Sequence, residues 1–407
     1  MTSKPLVGPL RLSAPPVAAR LDAAETASVL SRLVASRAAT TKADLCRATG
    51  LARSTVTSAV DALLSRGVLD TAGTRTPAGR GRPADELVVS PRHGVVLLAD
   101  LGVERARVTV AGLGQQILQQ SDLEIVIADG PERVLATVAR EAERMLGTVP
   151  YPVPRAAVIG LPGPVDPSGG RPVRPPIMPG WDGYPVADVL GERFGCDTVV
   201  ANDVNLCALG EARSLPPEQS PLLFVTIGAG IGGGFVGSNG EVHQGSDGAA
   251  GDIGHIRLPG TADVACACGK TGCVEAVASA TALAGALLRE GGHRPGGETE
   301  LVALIRAGEP AAVRLLREAT VVLGELVAML VHVLNPARVV LGGELVAASD
   351  DILAGVRGLV YQRALPLATR DLVLAQSGLA SRAATAGALV QAIEAALSAE
   401  ALERGGR

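Results

Sequence analysis

The sequence predicts an α/β protein that carries a small DNA-binding domain at its N-terminus. Two observations support this: three helical segments followed by two strand-like ones, and a long alternation of strands and helices from Gly94 onward. The 407 residues are too many for one ordinary domain. Because 47% of them are hydrophobic, a large core can form and wholesale disorder is excluded.

Residues 1–20 contain four prolines among small residues and predict a flexible tail. The helical spacing of apolar residues then predicts three helices, with Gly50 in the turn before the third. The helices are expected at 24–36, 42–48 and 53–65, and the strands at 68–69 and 86–90. This order predicts a winged helix-turn-helix over residues 21–90.

The charge of the chain is divided unevenly. The net charge is −4, but residues 1–84 carry 12 basic and 5 acidic residues, a net of +7 that leaves −11 for the remainder. A basic segment on an acidic body suggests nucleic acid at one end and a different ligand at the other, although chance clustering gives the same numbers. No apolar run reaches the roughly 20 residues that span a bilayer, and the first 20 residues lack the apolar segment of a signal peptide. We therefore expect a cytoplasmic protein with no membrane partner.

The third helix opens with small polar residues and one arginine, which we expect to contact DNA. Short hydroxyl side chains at a helix N-terminus reach phosphates and base edges, and the helix dipole adds positive potential there. Two arginines within Gly79-Arg-Gly-Arg-Pro83 can lie in a minor groove. The alternatives are a three-helix packing unit with a polar face and a loop that is merely solvated. The expected DNA-binding residues are Arg53, Ser54, Thr55, Thr57, Ser58, Arg80 and Arg82.

The rest of the chain alternates between short apolar runs and amphipathic segments, and it is too long for one simple lobe, so two lobes are expected. Strands are predicted at 95–100, 107–111, 116–126, 156–160, 198–201, 222–226, 233–236 and 338–341. Helices are predicted at 132–146, 186–194, 311–333 and 383–402.

One histidine and three cysteines form a candidate zinc site: His255, Cys266, Cys268 and Cys273. One imidazole and three thiolates make the complete tetrahedral set of a structural zinc ion. Buried or disulfide-bonded cysteines are the alternative, but a reducing cytosol disfavours disulfides and three clustered cysteines cannot pair off. Four protein ligands leave no open position for water, which argues against a zinc hydrolase.

Carboxylates and an amide are placed where a polyol could bind. Asn202 and Asp203 follow a buried strand, the position at which α/β sheets bind ligands, and Asp252 and Glu275 bracket the zinc cluster. Each of them alone could be a helix cap or a surface charge. Together they suit a ligand with several hydroxyl groups. A glycine-rich turn at 227–234 can cradle phosphates or form a hairpin that binds nothing.

These motifs resemble the ROK family of bacterial sugar repressors, related open reading frames and sugar kinases. The segment Cys266-Ala-Cys-Gly-Lys-Thr-Gly-Cys-Val-Glu275 looks like the family signature, and Asn202-Asp-Val-Asn205 looks like its Asn-Asp-Ala-Asn segment. Leu334-Asn-Pro336 with Gly342-Gly343 looks like its nucleotide-side turn. The fused winged helix is similar to that of the repressor branch, since the plain kinases lack it.

The resemblance covers about residues 20–402 and implies a two-lobed actin-like (ribonuclease H-like) ATPase fold with a sugar in the cleft. It implies an N-terminal lobe at 91–205, completed by a returning helix at 381–407, and a C-terminal lobe with the zinc site at 206–380. It also implies that sugar hydroxyls are contacted by Asn202, Asp203, His255 and Glu275, with His255 binding zinc as well.

The sequence departs from the kinases of this family. Their first phosphate loop reads Asp-x-Gly-Gly-Thr, whereas this chain has Asp100-Leu-Gly-Val-Glu104. Val103 adds bulk, and the charge of Glu104 against a phosphate costs on the order of a few kcal/mol in a partly buried cleft. Ala229 stands where kinases usually carry Thr. These changes argue against phosphoryl transfer, so no catalytic residue is expected; Asp203 would be the base in a kinase.

Two further departures concern the ligand itself. Asp252 replaces the usual Glu, and Ile177 stands where the family often has a sugar-binding Asn, which leaves room for an unusual ligand. The leading hypothesis is a sugar-responsive repressor of carbohydrate-related genes that binds operator DNA as a homodimer or homotetramer. An active sugar kinase that also binds DNA, and a repressor controlled by a partner protein, are the alternatives.

Overall fold

The computed structural model describes residues 8–13, 21–75, 84–261, 263–291 and 295–404. Three helices and an antiparallel pair of strands form the N-terminal domain, in the predicted order. They are α1 (Ala23–Ala35), α2 (Lys42–Thr49), α3 (Arg53–Ser65), β1 (Leu69–Arg75) and β2 (Ala84–Val89).

Local signals define the ends of these helices. Asp22 and Glu25 form a capping box at the start of α1, in which each side chain accepts from the backbone N–H of the other residue. Thr41 caps α2, which ends at Gly50 with a φ of 70°, a left-handed conformation that favours glycine. The apolar faces of the three helices meet around Leu30, Leu45 and Val60.

The first lobe is built on a five-stranded sheet with strand order β5-β4-β3-β6-β9. Its strand β3 is apolar along nearly its whole length because helices cover both faces of the sheet. The elements are β3 (Val95–Leu101), β4 (Arg105–Gly112), β5 (Ile117–Glu124), α4 (Pro131–Leu146), β6 (Pro154–Leu161), the short β7 (Val165–Asp166) and β8 (Arg171–Pro172), α5 (Val186–Phe194), β9 (Asp197–Asn202) and α6 (Asp203–Ser214).

The second lobe has a four-stranded sheet with strand order β11-β10-β12-β13, backed by the long helix α10. Its strands are β10 (Leu222–Ile227), β11 (Ile231–Val236), β12 (Arg338–Gly342) and β13 (Val373–Gln376). Its helices are α7 (Val274–Ala278), α8 (Ala280–Arg289), α9 (Glu298–Arg306), α10 (Pro310–Leu334), α11 (Glu344–Ala348), α12 (Asp350–Arg363) and α13 (Pro366–Thr369), and the chain then returns to the first lobe as α14 (Ala383–Ala396) and α15 (Ala399–Arg404).

Both sheets follow the same plan. In each, a set of parallel strands is extended on one side by antiparallel strands: β4 and β5 beside β3, β6 and β9 in the first sheet, and β11 beside β10, β12 and β13 in the second. The repetition of this plan confirms the predicted two-lobed α/β body behind an N-terminal helical domain. None of the described helices combines the length and the apolar composition that a bilayer-spanning segment needs.

The structure corrects three expectations. Residues 8–13 belong to the predicted flexible tail, yet Leu10 and Leu12 are buried, because they complete the core between the N-terminal domain and the first lobe. The terminal helix expected at 383–402 is two helices, since the hydroxyl of Ser398 accepts from the N–H of Ala401 and starts a new one. The lobe boundary expected at 205/206 falls inside α6, whose faces pack on both lobes.

Helices α6 and α14 pack so closely that their backbones are in contact. A Cβ atom on Gly210 would lie 2.3 Å from the carbonyl oxygen of Ala383, and one on Gly387 would lie 1.9 Å from that of Leu206. Glycine is required at both positions because any side chain would push the helices apart. The two helices therefore pack with their backbones in direct contact.

Candidate functional site

The predicted metal ligands come together in one cluster. One ligand atom from each of His255, Cys266, Cys268 and Cys273 lies within 4.8 Å of all the others. Nδ1 of His255 is 3.7 Å from Sγ of Cys266, and the sulfurs of Cys268 and Cys273 are also 3.7 Å apart. Around one zinc ion, with bonds of about 2.0–2.3 Å, such atoms stand roughly 3.3–3.8 Å apart. The residues therefore fit a tetrahedral metal ion.

Turns in the backbone bring the three sulfurs together. Gly269 and Gly272 have φ values of 85° and 72°, which favour glycine, and the N–H of Cys266 donates to the carbonyl of Lys270. Burial and the neighbouring sulfurs raise the pKa of the Cys273 thiol to about 12. The thiolate of Cys273 is therefore unfavourable here unless a cation holds it, which is the chemistry that a metal ion supplies.

Three of the predicted ligand-binding residues adjoin this cluster. Asp252 precedes the short helical turn Ile253–His255, and its side chain is open to solvent on one side while its carboxyl group is partly enclosed. Partial burial of its carboxyl group raises the pKa of Asp252; nearby His255 lowers this pKa and nearby Glu275 raises it. Oε2 of Glu275 accepts a hydrogen bond of 3.0 Å from the N–H of Ile231 in β11.

The other two predicted residues lie where β9 passes into α6. Oδ1 of Asn202 caps α6 by accepting from the N–H groups of Val204 and Asn205, and its Nδ2 donates to the carbonyl of Gly163 at 3.1 Å. Burial, followed by the charge of Asp100, raises the pKa of Asp203 to about 7. A carboxyl group with this pKa can accept or donate a hydrogen bond near neutral pH.

The segment that carries Asp252 and the segment that carries Asn202 and Asp203 approach each other at Gly251 and Asn205. A Cβ atom on Gly251 would lie 2.2 Å from the carbonyl oxygen of Gly233 and 3.9 Å from Oδ1 of Asn205. That amide oxygen is buried and has no hydrogen-bond donor in the described part of the chain. The turn before the metal cluster is thus pressed against the hairpin and the first turn of α6, and the five predicted residues lie on adjoining segments.

Carboxylates line the glycine turn at 228–230. Glu298, the first residue of α9, accepts a backbone hydrogen bond from Ala229, and a Cβ atom on Gly228 would lie 2.8 Å from Oε1 of Glu298. Burial raises the pKa of Glu298 to about 7, with added contributions from Glu344 and Glu104. This turn therefore holds a carboxyl group of the protein itself, in a region of negative charge.

The predicted DNA-binding residues on α3 are accessible. Arg53, Ser54, Thr55 and Ser58 are exposed, and Thr57 is half-buried, while the opposite face of the helix packs inward through Val56, Val60 and Leu63. Arg80 and Arg82 lie outside the described residues.

Sequence reasoning did not single out Asp100, Asn205 or Glu298 as site residues. Asp100 stands near the end of the buried strand β3, the same strand-end position that pointed to Asn202. Glu298 follows Gly296-Gly297 and opens a helix, a turn signal that could have drawn attention to it. The unpaired oxygen of Asn205 depends on contacts between distant segments, for which no local signal exists.

Comparisons with known proteins cover most of the chain. A family model described as "ROK family" matches residues 96–395. A protein named "Putative xylose repressor" from Caldicellulosiruptor sp. is 28% identical over 368 residues, which are 86% of this chain and 91% of that protein.

Two solved structures share this fold. A ROK family transcriptional regulator, described as a homolog of the E. coli MLC protein, is 24% identical and covers 94% of this chain and 98% of its own, with a TM-score of 0.77. The ROK hexokinase from Thermus thermophilus is 31% identical and covers 73% of this chain and 97% of its own, with a TM-score of 0.60. The kinase thus aligns with a smaller share of this chain than the regulator does.

Proposed function

Since the chain belongs to the ROK family, we propose that it is a transcriptional repressor of carbohydrate-related genes. The N-terminal winged helix-turn-helix binds operator DNA, and a sugar or sugar derivative binds in the body and changes that affinity. The observation that carries this proposal is the three-helix, two-strand domain joined to a ROK body, in a chain that matches a repressor over 86% of its length.

The DNA-binding surface is the start of α3. Its exposed face offers one guanidinium and several hydroxyl groups, from Arg53, Ser54, Thr55 and Ser58, to phosphates and base edges. Thr57 is more enclosed and supports the same surface. Arg80 and Arg82 of the wing are proposed as minor-groove contacts from the sequence alone.

The effector site is formed by Asn202, Asp203, Asp252, His255 and Glu275. Their carboxylates, amide and imidazole suit a polyol, which offers several hydroxyl donors and acceptors. The ion held by His255, Cys266, Cys268 and Cys273 is zinc, because one nitrogen and three sulfur ligands favour it. Its role is structural: it holds the segment that carries Asp252 and Glu275.

In this proposal the protein is a regulator rather than a kinase. Glu298 already occupies the backbone N–H of Ala229 in the glycine turn, and Glu104 and Glu344 add negative charge around it. A nucleotide's phosphates would have to displace one carboxylate and approach two others, which is unfavourable. We expect no binding of a fluorescent ATP analogue to the full chain, with or without Mg²⁺. Micromolar binding would contradict this part of the proposal.

The proposed function is tested by operator release. DNA fragments retained by the purified protein are selected from a random-sequence pool, and their affinity is measured by fluorescence anisotropy with each of a panel of neutral sugars and sugar phosphates. We expect one sugar to change the affinity at least tenfold and to raise the Tm of the protein. Failure to retain any DNA sequence would refute the proposal, and release by a sugar alone would exclude the need for a partner protein.

A sugar kinase that also binds DNA is the second candidate. One observation favours it: the pKa of Asp203, raised to about 7, suits a general base that takes a proton from a sugar hydroxyl. The assay is ADP release with the same sugar panel. Turnover at ordinary kinase rates that is lost in Asp203→Asn would establish this activity.

We further propose that the protein acts as a homodimer or homotetramer, because a winged-helix pair reads two half-sites. Exposed apolar side chains on α10, α12 and near α13 offer a contact surface: Val333, Tyr361, Leu365 and Leu367. Light scattering of the full chain gives the state directly. We expect Leu365→Lys combined with Leu367→Lys to shift it toward the monomer.

A further inference from the structure

Residues 8–13, which we call the strap, are built into the junction between the DNA-binding domain and the body. Leu10 and Leu12 are 1% and 8% exposed. The side chain of Gln115, in the β4–β5 turn, exchanges two hydrogen bonds with the backbone of Leu10, at 2.7 and 2.9 Å. The same Nε2 also donates to the carbonyl of Ala35 at the end of α1, at 3.2 Å. One side chain of the body therefore holds both the strap and the DNA-binding domain.

Arg11 of the strap caps the C-terminus of α6. Its backbone N–H donates to the carbonyl of Arg213 at 2.9 Å, and its guanidinium donates to the carbonyls of Ala212 and Leu215 at 2.6 Å each. The last carbonyls of a helix have no partners within the helix and carry its negative dipole end, so a guanidinium is well suited to this position. The strap thus supplies hydrogen-bond donors to carbonyl groups at the C-terminal end of α6.

Arg213 connects this end of α6 with α14 and with the DNA-binding domain. Its side chain is 4% exposed and lies 3.0 Å from Oε1 of Glu241 and 3.5 Å from Oε1 of Glu394. The same oxygen of Glu394 accepts from the N–H of Ser13 in the strap. The backbone carbonyl of Glu394 accepts from Arg32 of α1 at 2.7 Å. The strap, α6, α14 and α1 therefore meet in one buried network.

The other end of α6 lies in the proposed effector site. Asn202 caps the helix and Asp203 is its first residue, whereas Arg213 stands in its last turn. A helix of 12 residues is about 18 Å long. Gly210 and Gly387 bring α6 and α14 into backbone contact, so we expect a displacement at one end of α6 to move both helices together.

Two arginine side chains of the network are incompletely paired by the surrounding protein groups. The buried Nε atoms of Arg32 and Arg213 have no acceptor among the described residues. A buried donor without a partner costs free energy, and that cost is recovered when the group reaches water. The strap is therefore held by many contacts around a centre that is incompletely satisfied.

We propose that the strap is a latch whose docking on the C-terminus of α6 is coupled to the occupancy of the site at its N-terminus. In the docked state Arg11, Arg213 and Glu394 hold the DNA-binding domain in one orientation on the body. A shift of α6 and α14 breaks these contacts, releases the strap and frees α1. That a sugar causes this shift rests on the proposed function; that the two ends of α6 are coupled does not.

Coupling is reciprocal, so it can be tested without DNA or sugar by perturbing each end and measuring the other. Amide hydrogen exchange is followed by mass spectrometry in the full chain. Asn202→Ala removes the cap at the site, and Arg11→Ala removes the cap at the strap. Arg133→Ala, on an exposed position of α4, is the matched control.

We expect Asn202→Ala to speed amide exchange in residues 9–13 and in α1 at least fivefold, and Arg11→Ala to do the same in residues 204–209. The control should change neither segment. If Asn202→Ala loosens only the first turn of α6 while the strap stays within twofold of the wild type, and Arg11→Ala likewise acts only locally, the strap is a passive anchor and the proposal is wrong. Glu394→Gln, which keeps the shape of the network, replaces Arg11→Ala if that variant fails to fold.

Discussion

Oε2 of Glu275 accepts a hydrogen bond of 3.0 Å from the backbone N–H of Ile231. Glu275 stands two residues after Cys273, and Ile231 begins the second strand of the glycine hairpin. The cysteine cluster and the hairpin beside α6 are therefore fixed to each other through one carboxylate. We therefore expect a change in the cluster to alter the position of the hairpin as well.

Loss of one cluster thiol should remove the metal. In Cys268→Ser, one of four ligands becomes a hydroxyl group that binds zinc poorly, so we expect metal affinity to fall at least 100-fold and proteolysis between residues 251 and 275 to accelerate. Metal content by atomic emission and limited proteolysis measure these effects. Cys196→Ser, outside the cluster, should keep one metal ion per chain. Unchanged metal content in Cys268→Ser would contradict the ligand assignment.

The buried carboxyl group of Asp203 should make stability depend on pH. Burial raises its pKa from 3.8 to about 7, so the folded chain holds a proton that the unfolded chain releases. The stability that this group provides is present at low pH and declines as the pH rises from about 4 to about 7. Asp203→Asn removes the decline, and we expect it to be more stable than the wild type at pH 8 by about 1–3 kcal/mol, a Tm increase of a few degrees.

The Tm difference between Asp203→Asn and the wild type should shrink toward zero near pH 4, where both side chains are neutral. This low-pH limit serves as an internal control. Asp188→Asn, at an exposed position on α5, is the surface control for the Tm measurements. A pH-independent difference for Asp203→Asn would mean that packing, rather than a buried charge, sets its effect.

Arg53 at the start of α3 should contribute to DNA affinity without affecting the body. Arg53→Ala removes a guanidinium from the exposed face, so we expect a loss of about 1 kcal/mol or more and a decrease of about 1 in the slope of log affinity against log salt. Anisotropy titrations on a selected operator at several salt concentrations measure both. The Tm should stay within about one degree of the wild type; a large decrease would indicate misfolding instead.

The glycine contact between α6 and α14 should tolerate no methyl group. In Gly387→Ala the new Cβ would lie 1.9 Å from the carbonyl oxygen of Leu206, so we expect a loss of roughly 3 kcal/mol or more, or failure to fold. Gly358→Ala is the matched control, because a Cβ there has nothing within 4 Å. It should stabilise helix α12 by about 0.5–1 kcal/mol. Equal effects in denaturant unfolding would contradict the backbone contact.

Much of the fold could be predicted because its signals are local. The bounds of α3 and α5 match the predicted helices, since apolar spacing defines them, and Gly195 ends α5 in the left-handed conformation. The break at Ser398 was missed because Leu397 and Leu402 continue the apolar pattern across it while the serine hydroxyl starts a new helix. Apolar periodicity does not detect a cap inside a helical pattern.

The site was predictable in its parts but not in its assembly. The histidine and the three closely spaced cysteines indicated a metal cluster, and the structure adds that their ligand atoms converge. The contact of Glu298 with Ala229 and the docking of residues 8–13 join segments that are far apart in the chain. Such contacts are decided by how the two lobes pack, which no short window of sequence contains.

The returning helices have a consequence for the order of synthesis. Ile393 of α14 and Leu402 of α15 share a core with Leu30 and Val34 of α1, so residues near opposite ends of the chain complete the same packing. The first helix leaves the ribosome early, but its inner face stays uncovered until the last helices emerge. A nascent chain therefore cannot present a fully supported DNA-binding domain before its sensing body has been made.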